Sequence, residues 1–152
     1  MPKHEIRAMA PADLERVVAV WRRARDEAQP WLEARMSHSP ADDLGFFRDV
    51  IARENEVWLA VTGSDILGLL ALRDGFVDQL YVDPRAQRRG VGTALLEHAR
   101  TRFPKGLALY THQANRGARA FYERLGFQPV AFGVSGPPEC EPDVRYAWQP
   151  AG

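Results

Sequence analysis

The chain has 152 residues, 45% of them hydrophobic, enough for one domain with its own core. Twenty basic and twenty acidic side chains cancel, so charge gives no case for nucleic acid or a membrane surface as partner. Cys140 is the only cysteine, which leaves no internal disulfide and no multi-cysteine metal site. No stretch approaches the ~18 apolar residues of a membrane span, and Met-Pro-Lys-His-Glu at the start has no apolar signal core. The expectation is one cytoplasmic domain over residues 1–152.

His4 to Met9 alternates and reads as an edge strand. Pro11 to about Ala28 carries Leu14, Val17, Val18, Val20 and Trp21 at helical spacing. Gln29 to His38, with Trp31 and Met36, follows no period and reads as irregular. Ser39-Pro40-Ala41-Asp42 is a helix start, with Ser39 as N-cap, and that helix runs to Arg53. Val57 to Val61, Ile66 to Leu72 and Phe76 to Val82 form an antiparallel meander, turned at Thr62-Gly63-Ser64-Asp65 and at Asp74-Gly75. A helix over 91–103 stops near Pro104-Lys105-Gly106. Leu107 to Thr111 is a strand, Ala114 to Leu125 a helix, and 127–134 and 144–148 a last strand pair. A helix joins the strands 76–82 and 107–111, so they run parallel.

Between the third meander strand and the next helix lies Gln87-Arg88-Arg89-Gly90-Val91-Gly92-Thr93-Ala94-Leu95-Leu96. A strand, a glycine-rich turn and a helix start present unpaired N–H groups and a positive dipole end, which suits a phosphate. A dinucleotide fold needs a third glycine where Leu95 stands, and a P-loop needs a Gly-Lys pair that is missing. What remains, Gln/Arg-x-x-Gly-x-Gly/Ala, resembles the acyl-CoA signature of the GCN5-related N-acetyltransferase (GNAT) superfamily. Asp78 to Pro84 before it and Asn115 to Phe127 after it resemble that superfamily too.

The resemblance implies an α/β (α+β) fold: a mixed, mostly antiparallel sheet of about seven strands, flanked by about four helices, with parallel strands 76–82 and 107–111 splayed apart. It implies acetyl-CoA as co-substrate, no metal, and direct transfer of the acetyl group to a primary amine of a small molecule or peptide. Nucleic acid and membrane are not expected as partners, and a homodimer is left open. Backbone groups of Leu80 and Val82, with Tyr81 between them, would hold the pantetheine arm. Gln87, Arg88, Arg89, Gly90, Val91, Gly92 and Thr93 would hold the pyrophosphate, and Asn115 would bond the pantetheine or cap its helix. Tyr122 matches the tyrosine that protonates the departing sulfur and also contacts the cofactor.

The base is less defined. Asp78 is the first choice, on the parity of Leu80 and Val82; a structural salt bridge is its competing role. Tyr110 and His112 are alternatives near the acceptor, and Glu56 and His38 are further titratable residues. Trp31, outside the helical pattern, is the pocket tryptophan and Trp21 the core one. Glu139, Glu141 and Asp143 form an acidic loop able to attract a cation. Two rivals use other chemistry: a non-catalytic CoA-binding sensor on the same fold, and a nucleotide-binding redox domain.

Overall fold

The computed structural model describes residues 4–151. Seven strands form one sheet: β1 (Glu5–Ala8), β2 (Glu56–Thr62), β3 (Asp65–Arg73), β4 (Phe76–Val82), β5 (Leu107–His112), β6 (Gln128–Val134) and β7 (Pro142–Trp148), in the order β1-β2-β3-β4-β5-β7-β6. All neighbours are antiparallel except β4 and β5. Asp74 and Gly75 both take positive φ, as a two-residue hairpin with the right twist requires.

Alternation along β3 divides the core. Leu69 and Ala71 face α1 (Leu14–Ala28), where Val17, Val20 and Trp21 pack with Phe47 and Ile51. Leu70 and Leu72 face α5 (Val91–Arg102), where Val91, Leu95, Leu96 and Ala99 meet Tyr122 of α6 (Arg116–Arg124) and Tyr146 of β7. Each of these leucines is fully buried, worth roughly 1.5–3 kcal/mol of transfer from water. Gly68 sets the spacing on the α5 side. A Cβ there would lie 2.9 Å from the Tyr81 carbonyl oxygen and 3.1 Å from Val91 Cγ1.

Three helical segments depart from expectation. Gln29 to His38 is not irregular: Pro30–Met36 is a helix, α2, with proline in its first turn and Leu32 fully buried. A seven-residue helix with one core contact leaves no period to read. α3 (Pro40–Phe46) is capped by the Ser39 hydroxyl, which accepts from Asp42 N–H at 3.0 Å, but Phe47–Ile51 is π-wound before the short α4 (Ala52–Glu54). The wider turn puts Phe47 and Ile51 together in the core. α6 begins at Arg116 rather than Ala114, with Asn115 as its cap.

β4 carries the irregularity that matters most. Val77 opposes Leu72 and Gln79 opposes Ala71, so Asp78 is the extra residue of a β-bulge. The expected parity of Asp78 with Leu80 and Val82 therefore fails. Leu80 and Val82 pack on the α5 side, whereas Gln79 and Tyr81 turn to α1 and Asp78 accepts from Asn55, the C-cap of α4 just before β2.

Candidate active site

β4 and β5 pair only at Phe76 with Ala108 and at Val77 with Leu109. Beyond that point β5 stays with β7 through His112, while the bulge carries β4 away. The strands splay and open a cleft of about 1050 Å³, lined by β4 from Phe76 to Tyr81, β5 from Leu109 to His112, α6, the helices α1–α3 and the β6–β7 loop. Along β4 the Asp83 N–H donates to the Leu67 carbonyl of β3 at 2.8 Å. Strand alternation then turns the backbone groups of Leu80 and Val82 the opposite way, toward the missing β5 partner. A ligand with amide groups can bond there as an added strand does.

At the end of β4 the chain is pinned before it turns. The Asp83 carboxylate, 3% exposed as a residue, accepts from Arg23 of α1 at 2.7 Å and from Arg85. Burial pushes its pKa up, but the bonds from Arg23 and Arg85 outweigh burial and hold it at about 2. Gln87 donates to Glu27 of α1 at 2.8 Å, so this side chain ties the turn to the body rather than reaching outward. Arg88 and Gly90 both take left-handed φ, 65° and 76°. No side chain caps α5, so the N–H groups of its first turn are free. Arg88 and Arg89 are exposed, and among the described residues no partner holds either side chain. Val91 is buried against the sheet and Thr93 is exposed. A Cβ on Gly92 would lie 3.2 Å from the Phe121 ring, so this glycine serves helix packing as well.

Tyr122 is 8% exposed and packs on Phe121, Phe127 and Tyr146. Its hydroxyl has no hydrogen-bond partner among the described residues, and the residue lines the cleft. Burial pushes its pKa well above the usual phenol value, and nearby Tyr81 adds to the rise. Tyr81 itself is raised to about 12, first by burial, with Glu33, Glu139 and Asp78 adding to it against Arg25. The Asn115 Oδ1 accepts from Ala118 N–H at 3.1 Å, which leaves its Nδ2 for the cleft.

The other end of the cleft is built from side chains of distant segments. Asp78 lines it, accepting from Asn55 Nδ2 at 3.1 Å with Arg73 at 3.7 Å. Trp21 lines it too, although it is also core; its indole donates to Gln79 at 3.1 Å and carries Arg25 on its face. Arg25 pairs with Glu33 of α2 at 2.6 Å. Trp31, by contrast, is not among the lining residues. It packs edge-on to His112 and donates to Glu141 at 3.3 Å. Arg35 pairs with the same Glu141 at 3.1 Å, so α2 is strapped to the β6–β7 loop. Glu141 thus holds the strap, while Glu139 and Asp143 line the cleft. Tyr110 lines it with its hydroxyl accepting from Arg145, and His112 lines it with Nδ1 buried and unpartnered. His38 lines it beside Asp43, whereas Glu56 is outside it, bonded by Arg102 and Trp58.

Sequence reasoning missed Asp83, Gln29, Glu33, Met36 and Gly68. Only Asp83 had a local signal: Asp-Pro directly after a strand opens a turn.

The family described as "Acetyltransferase (GNAT) family" matches this chain over residues 16–127. The peptidyl-lysine N-acetyltransferase YjaB of Salmonella typhimurium is 32% identical over 115 residues, covering 75% of this chain and 76% of that protein. The peptidyl-lysine N-acetyltransferase YiaC of Escherichia coli is 28% identical over 126 residues, covering 82% and 84%. Among solved structures, apo YjaB from Escherichia coli superposes with a TM-score of 0.82 at 26% identity, over 99% of this chain and all of that one. PaiA N-acetyltransferase from Thermoplasma acidophilum, solved in complex with coenzyme A, gives 0.68 at 19% identity over 97% and 99%.

Proposed function

This chain belongs to the GNAT acetyltransferase family and is an N-acetyltransferase, and from that premise we propose that it transfers the acetyl group of acetyl-CoA directly to a primary amine, either of a small molecule or of a peptide lysine. Acetyl-CoA use is general for the family. The observation that carries the reading is the continuity of the splay. Leu80 of the unpaired β4 stretch, the Tyr122 side chain and Asp78 line one cleft, and the β4 strand runs on beyond it to the turn and the uncapped first turn of α5. Peptidyl-lysine activity of YjaB and YiaC supports the peptide arm of the proposal.

The residues divide the work as follows. The N–H groups of Val91, Gly92 and Thr93 receive the diphosphate, with Arg88 and Arg89 adding charge that solvent screens. Leu80 and Val82 bond the pantetheine amides, and Asn115 Nδ2 reaches the same arm. Attack requires the amine to lose a proton, because an ammonium has no lone pair. Asp78 takes that proton, held in place by Asn55 and Arg73. Tyr81, at about 12, stays a phenol near neutrality and is no base. Tyr122 gives its proton to the departing sulfur. Its raised pKa keeps it protonated at any working pH, and the same desolvation raises the proton affinity of a thiolate beside it.

The test is thiol release from acetyl-CoA with a panel of amines and lysine peptides, beside calorimetric titration of acetyl-CoA. Binding together with amine-dependent thiol release is the expected result. Binding without release for any amine sinks the transfer reading.

A further inference from the structure

Asn55, whose amide donates to Asp78 in the cleft, also lines a second cavity of about 560 Å³ that shares no lining residue with the first. It lies between the β1–α1 corner, the segment from Arg48 to Arg53 and the first residues of β2. Its volume is within the roughly 300–1,000 Å³ of small-molecule sites. Met9, Leu14 and Ala52 pack on the α1-side core and also line the cavity, and Pro11, Val57 and Trp58 complete an apolar wall. The π-wound turn shapes one side. It supplies Arg48 and leads into Ala52, while its Phe47 and Ile51 go to the core. Single π turns recur at functional sites.

The polar side chains of that wall are already engaged, with one exception. The Asn55 amide nitrogen donates to the Ile51 carbonyl at 2.9 Å as well as to Asp78, and its oxygen accepts from Arg73 at 3.4 Å. The Trp58 indole donates to Glu56 at 2.8 Å, and Arg102 donates to the same carboxylate at 2.7 Å. Arg48 grips both oxygens of Asp49, at 2.8 and 2.9 Å. Main-chain donors are spent too: Met9 N–H on the Val57 carbonyl at 2.9 Å and Ala10 N–H on Asp13 at 2.8 Å. Arg53 is the exception. It is exposed and makes no hydrogen bond or ion pair among the described residues. Its charge only adds to the bonds from Arg48 that hold Asp49 below the usual carboxylate pKa. Arg48 and Glu56 are each matched by a partner, so the cavity presents an apolar surface and one uncompensated guanidinium. A guanidinium donates and cannot accept, and its planar fork fits a carboxylate.

We infer that this cavity is a second binding site, separate from the acetyl-transfer cleft, for a small monocarboxylate with an apolar body. The body lies against Met9, Leu14 and Ala52, and the carboxylate pairs with Arg53. An ammonium would meet a cation with no free carboxylate to balance it, and a polar body would find no free side-chain partner in the wall. The site does not depend on whether the cleft acetylates an amine.

The experiment titrates the full chain, followed by NMR, with three eight-carbon probes: octanoate, octanol and octylamine. Octanoate moves the Met9 methyl and Trp58 indole resonances and leaves those of Tyr110 and His112 in the cleft in place. It binds about threefold tighter than octanol at low salt, as one partly screened charge contact gives, and the advantage shrinks as salt is added. Octylamine binds more weakly than octanol. Arg53→Gln, at an exposed side chain with no partner to lose, removes the preference for octanoate and leaves the affinity for octanol unchanged. No binding of octanoate, resonance shifts confined to the cleft, equal affinity for octanoate and octanol, or a preference that survives Arg53→Gln overturns the inference.

Discussion

The donor end and the acceptor end of this cleft are made from different materials. On the proposed function the donor end is backbone: an unpaired stretch of β4 and the first turn of α5, contiguous from Leu80 to Thr93 apart from one anchored corner. The acceptor end is side chain: Trp21 and Arg25 from α1, Glu33 from α2, Asp78 from a bulge and Glu139 from a loop. Backbone recognises what every acyl-CoA shares and tolerates substitution around it. Side chains recognise one acceptor and can be exchanged singly, so the two ends are free to vary independently.

The largest expected effect falls where the two ends meet. Tyr122→Phe should lower the single-turnover rate by roughly 10²–10⁴-fold, the range for a positioned general acid, with acetyl-CoA binding intact. The hydroxyl has no partner to lose, so the melting temperature should hold; a wild-type rate would make Tyr122 a packing residue only. Next is Asp78→Asn, which should cost about 10²-fold at neutral pH and recover as pH rises toward the ~10 of a free amine. A loss equal at every pH, with a lowered melting point, would assign Asp78 to its contact with Arg73 instead.

Gly90→Asp tests the backbone end. Aspartate tolerates the left-handed φ of 76° at a cost near 1 kcal/mol, and its carboxylate occupies and caps the amides that the diphosphate needs. Affinity for acetyl-CoA should fall about 10–10²-fold by calorimetry while the acceptor end is unaltered. Gly92 is the poorer site for this test, because any side chain there meets Phe121. Unchanged affinity in Gly90→Asp would move the diphosphate elsewhere.

The smallest effect concerns the corner between strand and turn. Asp83 sits at about 2 in the folded chain against ~3.9 when unfolded, so it contributes stability that is complete above pH 4 and lost as pH falls through 2. Asp83→Asn should cost about 1–2 kcal/mol at pH 7, since Arg23 and Arg85 are partly in water and screened. That difference should close as pH is lowered from 4 to 2 in denaturant titrations. A gap that persists in acid would mean that something other than the carboxylate charge holds the corner.

The same contrast explains what the sequence made legible. The donor end follows from a contiguous strand, glycine turn and helix, each with a local chemical signature, and its elements are where the residues predict them. The acceptor end depends on contacts between residues 104 to 110 positions apart, such as Arg35 with the Glu139 carbonyl and Trp31 with Glu141, which leave no local trace. Period-two reading of β4 passed straight over the bulge and gave Asp78 the parity of Leu80 and Val82, although Asp78 does line the cleft. Helical spacing marked Trp21 as core, which it is, and hid that its edge also faces the cleft. α2 escaped because one buried leucine in seven residues makes no pattern.

Gly68 works as a gauge. The missing side chain lets α5 settle onto β3 until Val91 and Leu95 are within 3.1 and 3.2 Å of where a Cβ would stand. That contact fixes how far the first turn of α5 sits from the free edge of β4, and so the length of ligand that can span both. Alanine at this position would act as a shim, pressing first on the Tyr81 carbonyl oxygen of β4, 2.9 Å from where its Cβ would stand, and then on Val91 and Leu95, so that strand and helix give by tenths of an ångström. A molecule gripped at its diphosphate would then present its acyl carbon out of register with Tyr122, and the error would be felt as lost rate in a protein that still binds.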